Sequence, residues 1–137
     1  MLINRLELNI RFSDLDPMGI VWHGNYFKYF EDGREAFGKE FNIGYKEVFN
    51  EGFYLPLTHI ECQFKKPIQY NDVLILETKY VNQAAAKITF EYTILSKTDK
   101  SIVAVGKSEQ VFLFKNRELH LTIPKFYAHW KTKWGLQ

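Results

Sequence analysis

Three residues that can exchange a proton lie close together near the start of the chain. They are Asp14, Asp16 and His23, within the segment RFSDLDPMGIVWHGNYFKYFEDGREAF at residues 11–37. A positioned carboxylate can act as a nucleophile or general base, and unpaired N–H groups at the start of a helix can stabilise an oxygen that becomes negative. On residue types alone, however, an Asp before Pro is more typical of a turn or helix cap, and His23 is equally explained as a packed side chain.

Hydrophobic periodicity predicts the elements that position these residues. Apolar residues alternate with polar ones from Leu2 to about Phe12, which predicts a first strand, and a turn-rich connection follows over residues 14–24. Beyond it, apolar residues recur every three or four positions, as on one face of a helix. They are Tyr26, Phe30, Gly33, Phe37 and Phe41, and the charged residues Lys28, Glu31, Asp32, Arg34, Glu35 and Lys39 fall largely outside this apolar stripe.

The second half of the chain changes to a period of two, which is typical of strands. Short connections between these segments indicate hairpin turns. Pro124 marks the expected start of a last helix, because Phe126, Trp130 and Trp134 repeat every four residues after it. The four predicted strands are about Leu57–Phe64, Val73–Val81, Lys87–Ser96 and Ile102–Phe114.

This order of elements predicts an α+β fold. Strands that follow one another favour an antiparallel β-sheet of about five strands, wrapped around one long central helix, with a short C-terminal helix. Gly33 is explained if a strand passes close to the helix, since an interior helical glycine costs about 1 kcal/mol relative to alanine; simple tolerance is the alternative. Open strand edges predict that the protein pairs with a second copy as a homodimer.

Composition narrows the class of protein. The 137 residues contain no repeat or linker, so residues 1–137 are expected to form one domain, and 46% hydrophobic content excludes a disordered chain. A net charge of +2, with lysines and arginines spread among acids, argues against nucleic acid as a partner. The apolar runs are too short for membrane insertion. The lone Cys62 cannot form an internal disulfide, which favours a cytoplasmic location.

Several other chemistries lack the residues they need. His23, His59, His120 and His129 show no paired spacing typical of zinc ligands. The chain contains no GxSxG nucleophile elbow and no glycine-rich phosphate loop. The sequence therefore predicts neither a metal nor a cofactor.

The segment FSDLDPMGIVWHGNYFKYFEDGRE resembles the opening motif of the hotdog-fold acyl-CoA thioesterases, the 4-hydroxybenzoyl-CoA thioesterase group and its Tol-Pal-associated relatives. The resemblance covers nearly the whole chain. It includes the first strand, the long helix, the segment FKKPIQYNDVLILET and a C-terminal helix that starts at a proline.

The resemblance implies roles for two residues. The second acid of the family's Asp-x-Asp pair is catalytic, which matches Asp16, and the histidine seven positions later matches His23. In the family, the backbone N–H at that position contacts the thioester carbonyl. The Tol-Pal-associated branch also tends to have an aromatic hydroxyl four residues before the acid, whereas this chain has Phe12, so one supporting hydrogen bond is expected to be absent.

The implied activity is hydrolysis of an acyl-CoA to a carboxylic acid and CoA, by a homodimer or homotetramer whose active sites lie at the dimer interface. A helix beginning near Gly24 is expected to supply the carbonyl donors. Two alternatives stay open: an acyl-carrier-protein thioesterase, and an acyl-CoA-binding protein without turnover. Further substrate contacts are expected from Trp22, Thr58, His59, Lys65 and Lys66, although the first three are also explained as core, dimer or strand-face residues, and the lysines as solvated surface. For the CoA phosphates, spacing does not distinguish the two lysines from Lys115 or Arg117.

Overall fold

The computed structural model describes residues 1–136 of the protein. Its helices are α1 (Asn25–Phe41), α2 (Tyr45–Asn50) and α3 (Lys125–Lys133), and a short 3-10 turn covers Phe12–Asp14. The strands are β1 (Ile3–Leu8), β2 (Phe53–Tyr54), β3 (Leu57–Phe64), β4 (Leu74–Val81), β5 (Lys87–Ser96), β6 (Ile102–Phe114) and β7 (Leu119–His120).

The strands form an antiparallel sheet with the order β1-β4-β5-β6-β3. Strand β6 is long enough to pair with β5 and β3 and, at its far end, with the two-residue strands β2 and β7. The α+β class and the antiparallel sheet are therefore confirmed. The described residues contain seven strands, because β2 and β7 extend the arrangement beyond the five longer strands.

Strand β1 is shorter than predicted. It ends at Leu8, which pairs with Leu74, the first residue of β4. Residues after Leu8 have no ladder to join, since the neighbouring strand begins there. The chain leaves the sheet and turns at Phe12–Asp14 instead of continuing as a strand to Phe12.

The apolar stripe of α1 packs onto the sheet and forms the core. Phe30 stacks on Tyr92 of β5 at 4.3 Å between ring centroids, and Phe37 meets Phe90 edge-on at 4.9 Å. A Cβ on Gly33 would lie 2.4 Å from Thr78 Oγ1 and 2.7 Å from a methyl carbon of Leu76. The prediction that a strand passes close to Gly33 is confirmed.

Arg34 is buried, unlike most of the charged residues of α1. The helical period places it largely outside the apolar stripe, yet only 5% of the residue is exposed. Its Nη1 donates a 3.0 Å hydrogen bond to the Tyr92 hydroxyl, and its Nη2 pairs with Glu31 one turn earlier. A long side chain can bury its stem and bring its charge to partners that the helical period does not reveal.

The region between α1 and β3 contains elements that periodicity did not predict. Helix α2 is only six residues long, and its start is capped by Glu47, whose side chain accepts a 2.7 Å bond from the Gly44 N–H.

Helix α3 begins directly after Pro124, as predicted. Its Trp130 Nε1 donates a 2.7 Å hydrogen bond to the Phe41 carbonyl at the end of α1.

No helix within residues 1–136 is both long and apolar enough to span a bilayer.

Candidate active site

Asp14 holds the loop between β1 and α1 against the helix. Its Oδ2 accepts hydrogen bonds of 3.0 Å from the Arg11 N–H and from the Tyr29 hydroxyl. Its carbonyl accepts bonds of 2.9 Å from Trp22 N and from Asn25 Nδ2. Asp14 is thus a structural residue of the turn.

Asp16 lies at the tip of this loop, in a tight turn. Its N–H donates to the Ile20 carbonyl at 2.8 Å, and its Oδ1 accepts a 2.8 Å bond from the Met18 N–H. Its Oδ2 has no hydrogen-bond partner within residues 1–136. One carboxylate oxygen therefore stabilises the turn, and the other is available to a ligand.

The start of α1 leaves backbone N–H donors without a partner. The N–H groups of Asn25 and Tyr26 bond to the carbonyls of Trp22 and His23, at 2.9 and 3.3 Å. The N–H groups of His23 and Gly24 have no partner in the described part of the chain. Such donors at a helix start favour a negatively charged group.

The Trp22 ring packs against Gly24. A Cβ at this position would lie 2.2 Å from Cζ3 of the Trp22 indole, so a larger residue would require this half-exposed ring to move. The half-exposed indole also lies beside the His23 imidazole, with 5.1 Å between ring centroids. Trp22 therefore shapes the approach to the free N–H groups.

A surface groove of about 270 Å³ brings several of the predicted residues together. Asp16 and His23 line one side, and Phe64, Lys65 and Lys66, where β3 ends, line the other. The two sides are joined by the Val21 N–H, which donates a 2.8 Å bond to the Ile68 carbonyl, and by a bridge between Ile20 and Gln69. The remaining lining residues are Met18, Ile20, Val21, Tyr26 and Pro67.

The groove combines an apolar floor with positive charge. The Tyr26 ring meets the Phe64 ring edge-on at 4.7 Å, and burial raises the pKa of Tyr26 to about 12, so this hydroxyl stays neutral at physiological pH. Lys65 and Lys66 are exposed at the rim. Neither Phe64 nor Tyr26 was predicted as a site residue; for Phe64, the available signal in the sequence was its place directly before the two lysines.

Thr58 and His59 lie at the other end of β3, outside the groove. The Thr58 hydroxyl donates to the Glu109 carbonyl at 3.3 Å, and His59 Nε2 lies 2.7 Å from a carboxylate oxygen of Glu61. At about 3.3 Å of rise per residue, these side chains are some 15 to 20 Å along the strand from Phe64. Within one subunit they do not join Asp16 and His23.

No cluster of three or more histidine, cysteine or acidic side chains that suits a metal ion is present within residues 1–136.

An antiparallel sheet packed against a long helix is the arrangement of the hotdog fold. The family comparison agrees: residues 10–130 match the thioesterase-like superfamily, and the chain belongs to this family. A similar relative is YneP of Bacillus subtilis, provisionally named an acyl-CoA thioesterase. It is 27% identical over 96% of this chain and 95% of its own.

Solved structures share the fold. A DHNA-CoA thioesterase from Staphylococcus aureus superposes with a TM-score of 0.85 and 20% identity, covering 98% of this chain and 90% of that one. The 4-hydroxybenzoyl-CoA thioesterase from Pseudomonas sp. strain CBS-3 gives a TM-score of 0.81 and 21% identity, covering 95% of this chain and 99% of that one.

Proposed function

We propose that this protein is an acyl-CoA thioesterase, with Asp16 as the catalytic carboxylate and the N–H of His23 as a donor to the thioester carbonyl. One observation carries the proposal: Asp16, which has a carboxylate oxygen without a partner, and His23, which has an unpaired N–H, line the same groove. Family membership and the names of the relatives support the same chemistry.

In this mechanism the thioester carbonyl oxygen rests against the free N–H groups. Asp16 either attacks the acyl carbon or removes a proton from the water that attacks it, and the electron pair of the C=O bond moves to the oxygen. The two N–H groups stabilise the resulting oxyanion, a contribution worth about 3 to 4 kcal/mol per well-placed donor. The intermediate then collapses, the C–S bond breaks, and CoA leaves as the thiol after gaining the proton that Asp16 took from the water. Where Asp16 itself attacks, the thiolate takes its proton from solvent, and a water molecule then hydrolyses the acyl-Asp16 anhydride, which releases the carboxylic acid and regenerates Asp16. The His23 side chain lies beside this path and is a second, weaker contributor.

The two lysines at the groove rim are assigned to the CoA moiety. Phosphate groups bind cations, and the Lys65 and Lys66 side chains extend into solvent next to the groove. Trp22 and Gly24 are assigned to the entrance for the acyl group, because the Trp22 indole lies against Gly24, next to the unpaired backbone N–H groups. The pyrophosphate and 3'-phosphate then stay outside the groove, while the thioester reaches Asp16.

The protein is proposed to work as a homodimer or as a tetramer of dimers. Strand β3 pairs only with β6, so its outer edge is open within the described chain. Exposed apolar side chains lie at both ends of this edge, with Leu57 at the start and Phe64 at the end. Pairing β3 with its copy about a two-fold axis would cover both. This arrangement also places Thr58 and His59 of one subunit near the groove of the other.

The activity is tested by release of free thiol from a panel of short, medium, long and aromatic acyl-CoAs. Turnover of at least one class that depends on Asp16 is expected. Tight CoA binding without any thiol release would show a binding protein instead, and the same acyl groups on acyl carrier protein would show which carrier is used.

A further inference from the structure

Asp16 lies near the closed end of a small hairpin, the Asp16 hairpin, which consists of residues 14–22. At its open end the Trp22 N–H donates a 2.9 Å bond to the Asp14 carbonyl. At its closed end the Asp16 N–H donates a 2.8 Å bond to the Ile20 carbonyl. The position of Asp14 therefore sets the direction in which the hairpin presents the Asp16 carboxylate.

Two side chains of α1 hold the open end of this hairpin. Asn25 Nδ2 donates a 2.9 Å bond to the Asp14 carbonyl, and the Tyr29 hydroxyl donates a 3.0 Å bond to the Asp14 carboxylate. Asn25 and Tyr29 are one turn apart on the helix, so both reach Asp14 from the same face. The backbone bond between Val21 and Ile68 holds the hairpin at another point. With two attachments at Asp14, the hairpin does not pivot about either one.

Asn25 also closes the turn that presents the unpaired donors. Its N–H bonds to the Trp22 carbonyl at 2.9 Å. The two residues enclosed by this bond are His23 and Gly24, whose N–H groups have no partner within residues 1–136. Asn25 is the first residue of α1, and only 6% of it is exposed. Through its backbone and its side chain, this one residue links the unpaired N–H groups to the hairpin that contains Asp16.

The bond to Asp14 requires a side chain that donates. The amide of Asn25 donates to a carbonyl, whereas a carboxylate of the same size only accepts. The Asp14 carbonyl also accepts the bond from the Trp22 N–H, so loss of the Asn25 side chain leaves no buried acceptor unpaired. Removing this donor therefore frees the hairpin at one point without the cost of an unpaired carbonyl.

We propose that Asn25 is a positioning residue for thioester hydrolysis. Its side chain holds the Asp16 hairpin at the distance from the His23 N–H at which one thioester contacts both groups. This inference rests on the proposed thioesterase function. A displacement of about 1 Å in a reacting group can cost about a hundredfold in rate, so kcat depends on this bond. Asn25 does not line the groove, so KM does not depend on it.

The first test compares Asn25→Ala with a matched control. Asn25→Ala is expected to lower kcat at least about tenfold and to change KM less than about twofold. Asn4→Ala is the control, because Asn4 is also buried, with 8% exposed, and its Nδ2 donates a 2.8 Å bond to Glu40 at the far end of α1. Both variants should lower the unfolding midpoint, but Asn4→Ala should keep the kcat of the parent. Equal kcat values for the two variants, or a rise in KM alone for Asn25→Ala, would overturn the proposal.

The Asp16→Asn background separates positioning from a general structural loss. Alanine at position 25 keeps the backbone N–H that closes the turn, so the variant acts on the hairpin. If Asn25 acts through Asp16, adding Asn25→Ala to Asp16→Asn should change the remaining rate by less than about threefold, because the positioned group is already gone. A further tenfold loss in this background would show that Asn25 acts elsewhere and would overturn the proposal.

Tyr29→Phe decides the question if Asn25→Ala does not fold. It removes the second attachment at Asp14 and should lower kcat at least about threefold, an effect that should disappear in the Asp16→Asn background. If the parent hydrolyses acyl-CoAs and the folded variants keep its kcat, the positioning assignment is wrong and the thioesterase assignment stands. If the parent hydrolyses no thioester, both assignments are wrong.

Discussion

The Tyr29 hydroxyl donates a 3.0 Å hydrogen bond to the Asp14 carboxylate and so ties the loop that contains Asp16 to the second turn of α1. Burial of Tyr29, together with this bond, raises the pKa of its hydroxyl above the usual range, so the donor stays protonated. The position of the candidate catalytic carboxylate therefore depends on a bond made two residues earlier in the chain.

Tyr29→Phe is expected to lower the free energy of unfolding by about 1 to 2 kcal/mol, because a partly buried hydrogen bond to a charged group is lost. Denaturant unfolding measures this value. Tyr70→Phe is the control, since Tyr70 is half-exposed and sits at the surface against Phe12, and its effect should stay within about 0.5 kcal/mol. Equal stability of Tyr29→Phe and the parent would contradict the role given to this bond.

Asp16→Asn is expected to keep the fold and substrate binding but to lose at least about two orders of magnitude in rate, as for a positioned base. Asp99→Asn offers a closely matched control. Asp99 Oδ1 accepts a 3.0 Å bond from the Ser101 N–H, the same two-residue turn that Asp16 makes with Met18, but in the β5–β6 hairpin. Thiol-release kinetics should separate the two variants, and an Asp16→Asn protein with the parent's rate would remove Asp16 from the mechanism.

Gly33→Ala should destabilise the protein by about 1 to 3 kcal/mol, because the added methyl would overlap Thr78 and Leu76. This cost opposes a gain of about 1 kcal/mol in helix propensity. Lys28→Ala, on the exposed face of α1, serves as the comparison and should be close to neutral. Thermal or chemical unfolding checks both, and a stabilised Gly33→Ala protein would show that the sheet yields easily at this point.

Burial raises the pKa of the Cys62 thiol from the usual 9.0 to about 11. Because the folded protein holds this proton more tightly than the unfolded chain, the stabilisation is complete below about pH 9 and is lost as the pH rises toward 11. The parent should therefore lose stability relative to Cys62→Ala across this interval. Unfolding midpoints of both proteins between pH 8 and pH 11 measure the effect, and a pH-independent difference would argue against a buried thiol.

Leu57→Arg should weaken self-association and reduce thioesterase activity, because it places a charge at the open edge of β3. Sedimentation of the parent is expected to give the mass of two or four chains, and the variant should shift toward the mass of one. Leu121→Arg alters a more exposed leucine beyond β7 and should leave the mass unchanged. A parent that sediments as a monomer would rule out an interface through β3.

Much of the architecture could be predicted because it depends on the local periodicity of apolar residues. The strands Leu57–Phe64, Lys87–Ser96 and Ile102–Phe114 have the predicted bounds, since alternation over eight or more residues is a strong signal. Helix α2 and strands β2 and β7 were not predicted, because two to six residues are too few to show a period.

The sequence by itself determined that one apolar face of a helix must be covered by an antiparallel sheet, and it singled out Asp16 and His23 through their motif. Only the tertiary structure decided what lies opposite them. The bond between Val21 and Ile68 brings Lys65 and Lys66 to the groove, and the packing of β5 against α1 buries Arg34 beside Tyr92. Periodicity shows which side of a helix or strand is buried. Which residues pack against that side depends on contacts between residues that are far apart in the chain.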